Sequence, residues 1–168
     1  KDRRRNILLF KEVLEKIFDE YKYIEFFSPN FTLDKEYVMK LCKMLIDNFK
    51  GIEWECTTRM NFLEDENMLE LMAKSGCKQI SLGIETLSKT ELEYIGKKYD
   101  VDNLENVIER VKKYGIKIKA CIMLAIPGQT KESIINTFSF LDNHNVAIRP
   151  TIYTSYQKMA TDMSIDEI

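Results

Sequence analysis

Between Tyr23 and Tyr153 the chain switches repeatedly between short extended segments and amphipathic segments of helical period, and that alternation leaves few folds open. It is the pattern of βα units wound around a parallel sheet. The first element is a helix: from Asn6 to Tyr21 the apolar positions Ile7, Leu8, Leu14, Ile17, Phe18 and Tyr21 keep a period near 3.6. Tyr23–Ser28 reads as a strand. Thr32 can cap a second helix, with Asp34 and Glu36 in its first turn, that runs to Asn48 and ends at Gly51. Ile52–Arg59 is extended, and Asn61 with Glu64 resembles a capping pair opening the helix that stops at Ser75-Gly76. Gln79–Glu85 is extended again, and Asp102 with Glu105 can cap a helix ending at Tyr114-Gly115. Ile116–Ile126 is almost wholly apolar, as a buried parallel strand should be. Pro127-Gly128 turns the chain, Thr130 caps a helix to Asn143, and Val146–Tyr153 is the last strand. The count is five helices and five strands, helix first, so a strand and its loop are expected upstream of Lys1. Residues 1–153 form one domain and residues 154–168 a tail without periodicity.

A chain of 168 residues with 45% hydrophobic and 31% charged residues suits one domain with a core of its own. Its formal net charge of −2 gives no electrostatic reason to expect nucleic acid or an anionic membrane. Arg3, Arg4 and Arg5 are the one basic cluster, readable as a solvated helix start or as a phosphate contact. No apolar run reaches the roughly 18 residues of a membrane span and no targeting layout opens the chain, so a cytoplasmic setting is expected. Cys42, Cys56, Cys77 and Cys121 are scattered through apolar segments, which fits reduced core thiols rather than a zinc or iron–sulfur site. With one histidine, His144, in a polar helix-end segment, neither a Ser/His/Asp triad nor a hydrolytic metal site is expected, and the histidine reads as exposed.

Side chains alternate across a strand, so each extended segment has two rows. Ile52, Trp54 and Cys56 oppose Glu53, Glu55, Thr57 and Arg59; Ile80, Leu82 and Ile84 oppose Gln79, Ser81, Gly83 and Glu85; Ile148, Pro150 and Ile152 oppose Arg149, Thr151 and Tyr153. A polar row on several strands, Glu25 included, suggests a barrel interior that holds a polar ligand. The other reading is a buried salt-bridge network, for example Glu55 with Arg149. Ser28, Arg59, Glu85 and the Ala125–Thr130 turn fall at C-terminal strand ends, where parallel α/β sheets place their ligands.

The segments IEWECTTRMNFLEDENMLELMAKSGCKQISLGIETLS (Ile52–Ser88) and YGIKIKACIMLAIPGQTKESIINT (Tyr114–Thr137) resemble the radical S-adenosylmethionine (SAM) enzymes. Thr-Arg ends one strand, Ser-Gly-Cys leads to Gly-Ile-Glu-Thr, and Tyr-Gly-Ile leads to Pro-Gly-Gln-Thr, in that family's order. The resemblance implies a partial (β/α)6 TIM-like barrel of parallel strands, with a [4Fe–4S] cluster held by a CxxxCxxC loop after the first strand. Strand and loop are expected ahead of Lys1. It implies reductive cleavage of SAM to a 5′-deoxyadenosyl radical, with flavodoxin or ferredoxin as electron donor and a substrate that the sequence does not identify. The branch includes methylthiotransferases, coproporphyrinogen oxidases and cobalamin-binding members, so cobalamin in the full-length protein is compatible with it. By the same matching Ser28, Pro29 and Asn30 contact the SAM amino group, Glu85 the ribose hydroxyls, and Leu124, Ala125, Ile126 and Gly128 the adenine, with Tyr153 closing the far side. Arg59 would pair with the SAM carboxylate or an anionic substrate. Ala125 and Gln129 stand where the family usually has Gly and Glu, and the Thr-Ser-Tyr-Gln-Lys-Met after Tyr153 departs from its usual Pro-rich segment. A non-catalytic βα scaffold of the same fold is the competing reading.

Overall fold

In the computed structural model, which describes residues 6–155, five strands make one parallel sheet whose spatial order is the chain order. They are β1 (Tyr23–Phe26), β2 (Glu53–Thr58), β3 (Cys77–Glu85), β4 (Lys117–Leu124) and β5 (Ala147–Ile152). Unbroken sequential order is that of a barrel, whereas a doubly wound sheet reverses at a switch point. The helices are α1 (Ile7–Ile17), α2 (Lys35–Asn48), α3 (Glu66–Lys74), α4 (Lys89–Tyr94), α5 (Leu104–Lys113) and α6 (Lys131–Asn143). One continuous core joins Leu14, Leu41, Leu45, Met68, Met72, Val107, Val111 and Leu141 of the helices to Trp54, Cys56, Ile80, Leu82, Ile84, Ile118, Ala120 and Ile122 of the strands. Those strand positions are the apolar rows expected from alternation, so the helices cover that face and the polar rows lie on the other, open face. The architecture is the expected partial barrel. Among the described residues no helix is long and apolar enough to cross a membrane. Arg3, Arg4 and Arg5 and most of the tail lie outside the described residues.

Three helix starts differ from expectation: in each an aspartate other than the expected residue accepts an orphan N–H. Asp34, not Thr32, caps α2 by accepting from the Tyr37 N–H at 3.0 Å. Thr32 instead sits in a 3-10 turn (Phe31–Leu33), buried, and bonds the Thr58 hydroxyl. Asp65 rather than Asn61 caps α3, accepting from the Met68 N–H at 2.7 Å. Asp100 rather than Asp102 caps the 3-10 turn Val101–Asn103 that leads into α5. Helix α4, capped by Ser88, was not expected: six residues are too few to display a helical period.

The sheet is anchored at β2. The Trp54 side chain is fully buried, donates its indole N–H to the Ser75 carbonyl at 3.0 Å, and meets the rings of Phe26 and Phe31 at 5.3 and 5.5 Å. Gly76 between α3 and β3 has φ +98°, and a Cβ there would lie 1.9 Å from the Ile52 carbonyl oxygen. Only glycine brings those two backbones together.

Candidate functional site

The parallel register aligns the open face into rows. Glu25, Glu55, Gln79 and Lys117 pair across β1 to β4; Thr57, Ser81, Lys119 and Ala147 across β2 to β5; Gly83, Cys121 and Arg149 across β3 to β5. Glu55 does not pair with Arg149. It accepts from the Tyr23 hydroxyl at 2.9 Å and from the Gln79 amide at 2.5 Å. Burial and then that bond to Glu55 push the Tyr23 phenol up to about 12. Arg149 is exposed and has no carboxylate partner among the described residues. The salt-bridge reading is therefore wrong for this pair: two rows of register separate Glu55 from Arg149. Glu53 pairs with Lys78 at 3.3 Å.

At the C-terminal end of β3, Glu85 departs from strand geometry. Its φ is +65°, the Thr86 N–H reaches back to the Ile84 carbonyl at 2.8 Å, and the register with β4 slips between Gly83 and Glu85. An i→i+2 hydrogen bond around a residue of positive φ is a γ-turn of the rare, strained sort. The Tyr99 hydroxyl, donating to the Ile84 carbonyl and to that of Thr86 at 2.8 Å, holds the peptides on both sides of Glu85. Burial, then the Glu85 charge, push that phenol's pKa up. The turn returns the Glu85 carboxylate to the open face: its Oε1 lies 3.1 Å from where a Cβ on Gly83 would stand and 2.9 Å from the Lys97 ammonium. Glu85 is only 7% exposed. Buried carboxylates held in strained backbone cluster at functional sites, which makes Glu85 a candidate.

The neighbouring strand end has the same character. Ala125 has φ +63°, and Ile126–Gln129 closes a β-turn by a 2.8 Å bond from the Gln129 N–H to the Ile126 carbonyl, with Gly128 at φ +83° in its third position. The Tyr153 N–H donates to the Leu124 carbonyl at 2.8 Å, and its ring stacks edge-on to Tyr94 at 6.1 Å. Glu85, Leu124, Ala125, Ile126, Gly128 and Tyr153 thus lie on three adjacent strand ends, although Ile126 itself is buried. Ser28, Pro29, Asn30 and Arg59 follow β1 and β2 on the same rim. The Asn30 side chain is taken up structurally, its Oδ1 accepting from the Thr58 hydroxyl at 2.9 Å, while Arg59 is exposed. The sequence did not point to Lys97, Tyr99 or Tyr94; Tyr94 ends α4, and Lys97 and Tyr99 follow it in a stretch whose only signals are Gly96 and a polar composition.

Three cysteines are buried core thiols, as expected: Cys42, Cys56 and Cys77. Burial pushes the Cys42 thiol up to about 12 and raises that of Cys56. Cys121 differs, half-buried on the open face. No group of side chains among the described residues could hold a metal ion, so they do not fit an iron–sulfur cluster. The strand ends do fit a nucleoside: a carboxylate acceptor for hydroxyls and turns of exposed backbone for a base.

The pattern defining the Radical SAM superfamily matches residues 1–141. An uncharacterized methyltransferase, PH0819, of Pyrococcus horikoshii is 28% identical over 119 residues, 71% of this chain and 26% of its own length. The anaerobic magnesium-protoporphyrin IX monomethyl ester cyclase of Rubrivivax gelatinosus is 26% identical over 115 residues, 68% of this chain and 21% of its own. The chain thus spans about a quarter of the length of these curated relatives. Among solved structures, the radical SAM methyltransferase TsrM of Kitasatospora setae, with cobalamin and a [4Fe–4S] cluster bound, superposes with a TM-score of 0.76 at 15% identity, covering 89% of this chain and 31% of that one.

Proposed function

This chain belongs to the radical SAM superfamily, and from that premise we propose that it forms the SAM-binding part of an enzyme whose [4Fe–4S] ligands lie in a segment ahead of Lys1. A cluster held there would supply the electron for reductive cleavage of SAM. This chain's residues bind and orient. The Glu85 carboxylate accepts from the ribose hydroxyls, the backbone of Leu124, Ala125, Ile126 and Gly128 lies along the adenine, and Tyr153 borders it. The turn at Ser28, Pro29 and Asn30 takes the amino group, and Arg59 a carboxylate. The substrate sits over the open face, where the helices on the other side keep water from one flank. Flavodoxin or ferredoxin is the electron donor, a cobalamin domain is compatible with the relatives, and the setting is cytoplasmic.

The observation that supports this most is the strained turn that places the buried Glu85 carboxylate on the open face. In the intact, cluster-loaded protein, Glu85→Ala is expected to weaken SAM binding by about 1.5–3 kcal/mol with an unchanged melting temperature. If Glu85 serves only to pair with Lys97, the melting temperature falls and SAM affinity stays, and the reading fails.

A further inference from the structure

The open face is electrically divided. Three acidic side chains, Glu25, Glu53 and Glu55, stand on β1 and β2; the basic ones, Lys117, Lys119 and Arg149, on β4 and β5. On β3 between them Gln79, Ser81 and Gly83 are uncharged, and the strand ends at Glu85, whose carboxylate is paired with Lys97. Two of the acidic side chains have partners: Glu55 has Tyr23 and Gln79, and Glu53 has Lys78. The basic half does not. Neither Lys119 nor Arg149 has a carboxylate partner among the described residues, and Lys97 is held by Glu85.

Lys119 and Arg149 are neighbours. Lys119 pairs in register with Ala147, and Cys121, two residues further along the same row, pairs with Arg149, so the two cations stand diagonally across one strand pair. Like charges in that relation repel, and an anion between them offsets the repulsion. On the other side of Cys121 its register partner is Gly83, which brings no side chain; the Lys97 ammonium stands 3.6 Å from its Cβ position. The Cys121 thiol therefore faces three cations and one carboxylate, Glu85. Its pKa is raised by burial against the pull of Arg149, Lys119 and Lys97.

We propose that Lys119 and Arg149, beside Cys121, form a subsite that takes an anionic oxygen group of the substrate, a carboxylate or a phosphate. This rests on the reading of the open face as the substrate side of a radical SAM barrel. Cys121 and Arg149 share the row of Gly83, over which the Glu85 carboxylate lies, and Lys119 stands one row deeper, so the subsite adjoins the strand-end residues assigned to SAM. It gives the substrate a handle: a charged group fixed on β4 and β5, with the remainder directed toward the strand ends.

Cys121 supplies the probe, because Cys42, Cys56 and Cys77 are buried. In the intact, cluster-loaded protein, alkylation at Cys121 is followed by peptide mass spectrometry with iodoacetate, an anion, and with neutral iodoacetamide. The expected iodoacetate-to-iodoacetamide rate ratio exceeds that of the same cysteine in the denatured protein by about tenfold. Lys119→Met and Arg149→Met each lower the ratio severalfold at unchanged melting temperature, while Lys117→Met, one row further toward the start of β4, leaves it in place. Succinate or inorganic phosphate, added at constant ionic strength, slows iodoacetamide at Cys121; protection by succinate alone assigns a carboxylate, by phosphate alone a phosphorylated substrate. A ratio equal to that of the denatured protein, no protection by either anion, or a Cys121 inert to both reagents overturns the proposal. SAM binding measured by equilibrium dialysis on the same samples tests the other reading separately: its loss with the ratio retained removes the SAM assignment alone.

Discussion

The Gln129 amide donates at 3.0 Å to the Glu91 carboxylate and at 3.1 Å to the Met123 carbonyl, tying the turn after β4 to the first turn of α4. Glu91 is 5% exposed and has no cation beside it among the described residues; Thr86 donates to it at 2.6 Å and Ser133 to its other oxygen. The two acceptors settle the amide orientation, leaving Gln129 Oε1 buried without a partner. A glutamate at 129, which the family resemblance leads one to expect, would set two carboxylates against each other. The amide at 129 is therefore matched to the carboxylate at 91.

Exchange of these two residues tests the match. Glu91→Ala removes the acceptor shared by Thr86, Ser133 and Gln129 and is expected to cost about 2–4 kcal/mol in denaturant unfolding. Gln129→Glu is expected to destabilise at pH 7 and progressively less below about pH 5, where the pair can share a proton. Adding Glu91→Gln to Gln129→Glu should recover at least about half of that loss by double-mutant cycle. Simple additivity would show that the contact is not a coupled pair.

Gly76→Ala should prevent folding or cost more than about 4 kcal/mol, since the new Cβ would overlap the Ile52 carbonyl in a backbone held at φ +98°. Gly51→Ala, at φ +85° with open space around it, carries only the conformational penalty, about 1–2 kcal/mol. Circular dichroism melts rank the two; equal losses would contradict the close approach.

His144 bonds the Phe140 carbonyl through Nδ1 at 2.8 Å and Glu105 through Nε2 at 3.2 Å, rather than standing free as its polar segment suggests. The Phe140 bond first, then Glu105, raise its pKa over the opposition of burial and Lys112. A raised folded-state pKa stabilises fully below the unfolded value, about 6.5, and that contribution disappears as pH rises through the folded value. Stability should therefore decline from about pH 6 upward, and His144→Gln should remove that slope. An identical pH profile in the variant would show the pair to be without effect.

Anaerobic reconstitution of the 168-residue chain with iron and sulfide should yield no [4Fe–4S] chromophore, because three of its four thiols are buried behind the sheet and Cys121 is on its other face. A stoichiometric cluster absorption band from this chain would contradict that separation.

The sequence by itself determined the βα order, the partition of each strand into an apolar and a polar row, and the strand-end positions of Glu85 and Ala125. Those follow from local periodicity and from turn residues such as Pro127-Gly128, which need no distant partner. What only the tertiary structure decided is whom each polar group meets. Lys97 reaches Glu85 through a loop with no period, Tyr99 clamps the peptides around Glu85 from 14 residues away, and Gln129 meets Glu91 across 38 positions. Asp34 displaced Thr32 as a cap once Thr58 on β2 offered Thr32 a buried partner. Spacing along the chain sets which face a side chain occupies; only the packed backbone sets the distance to a charge on another strand, and hydrogen bonds and ion pairs depend on that distance.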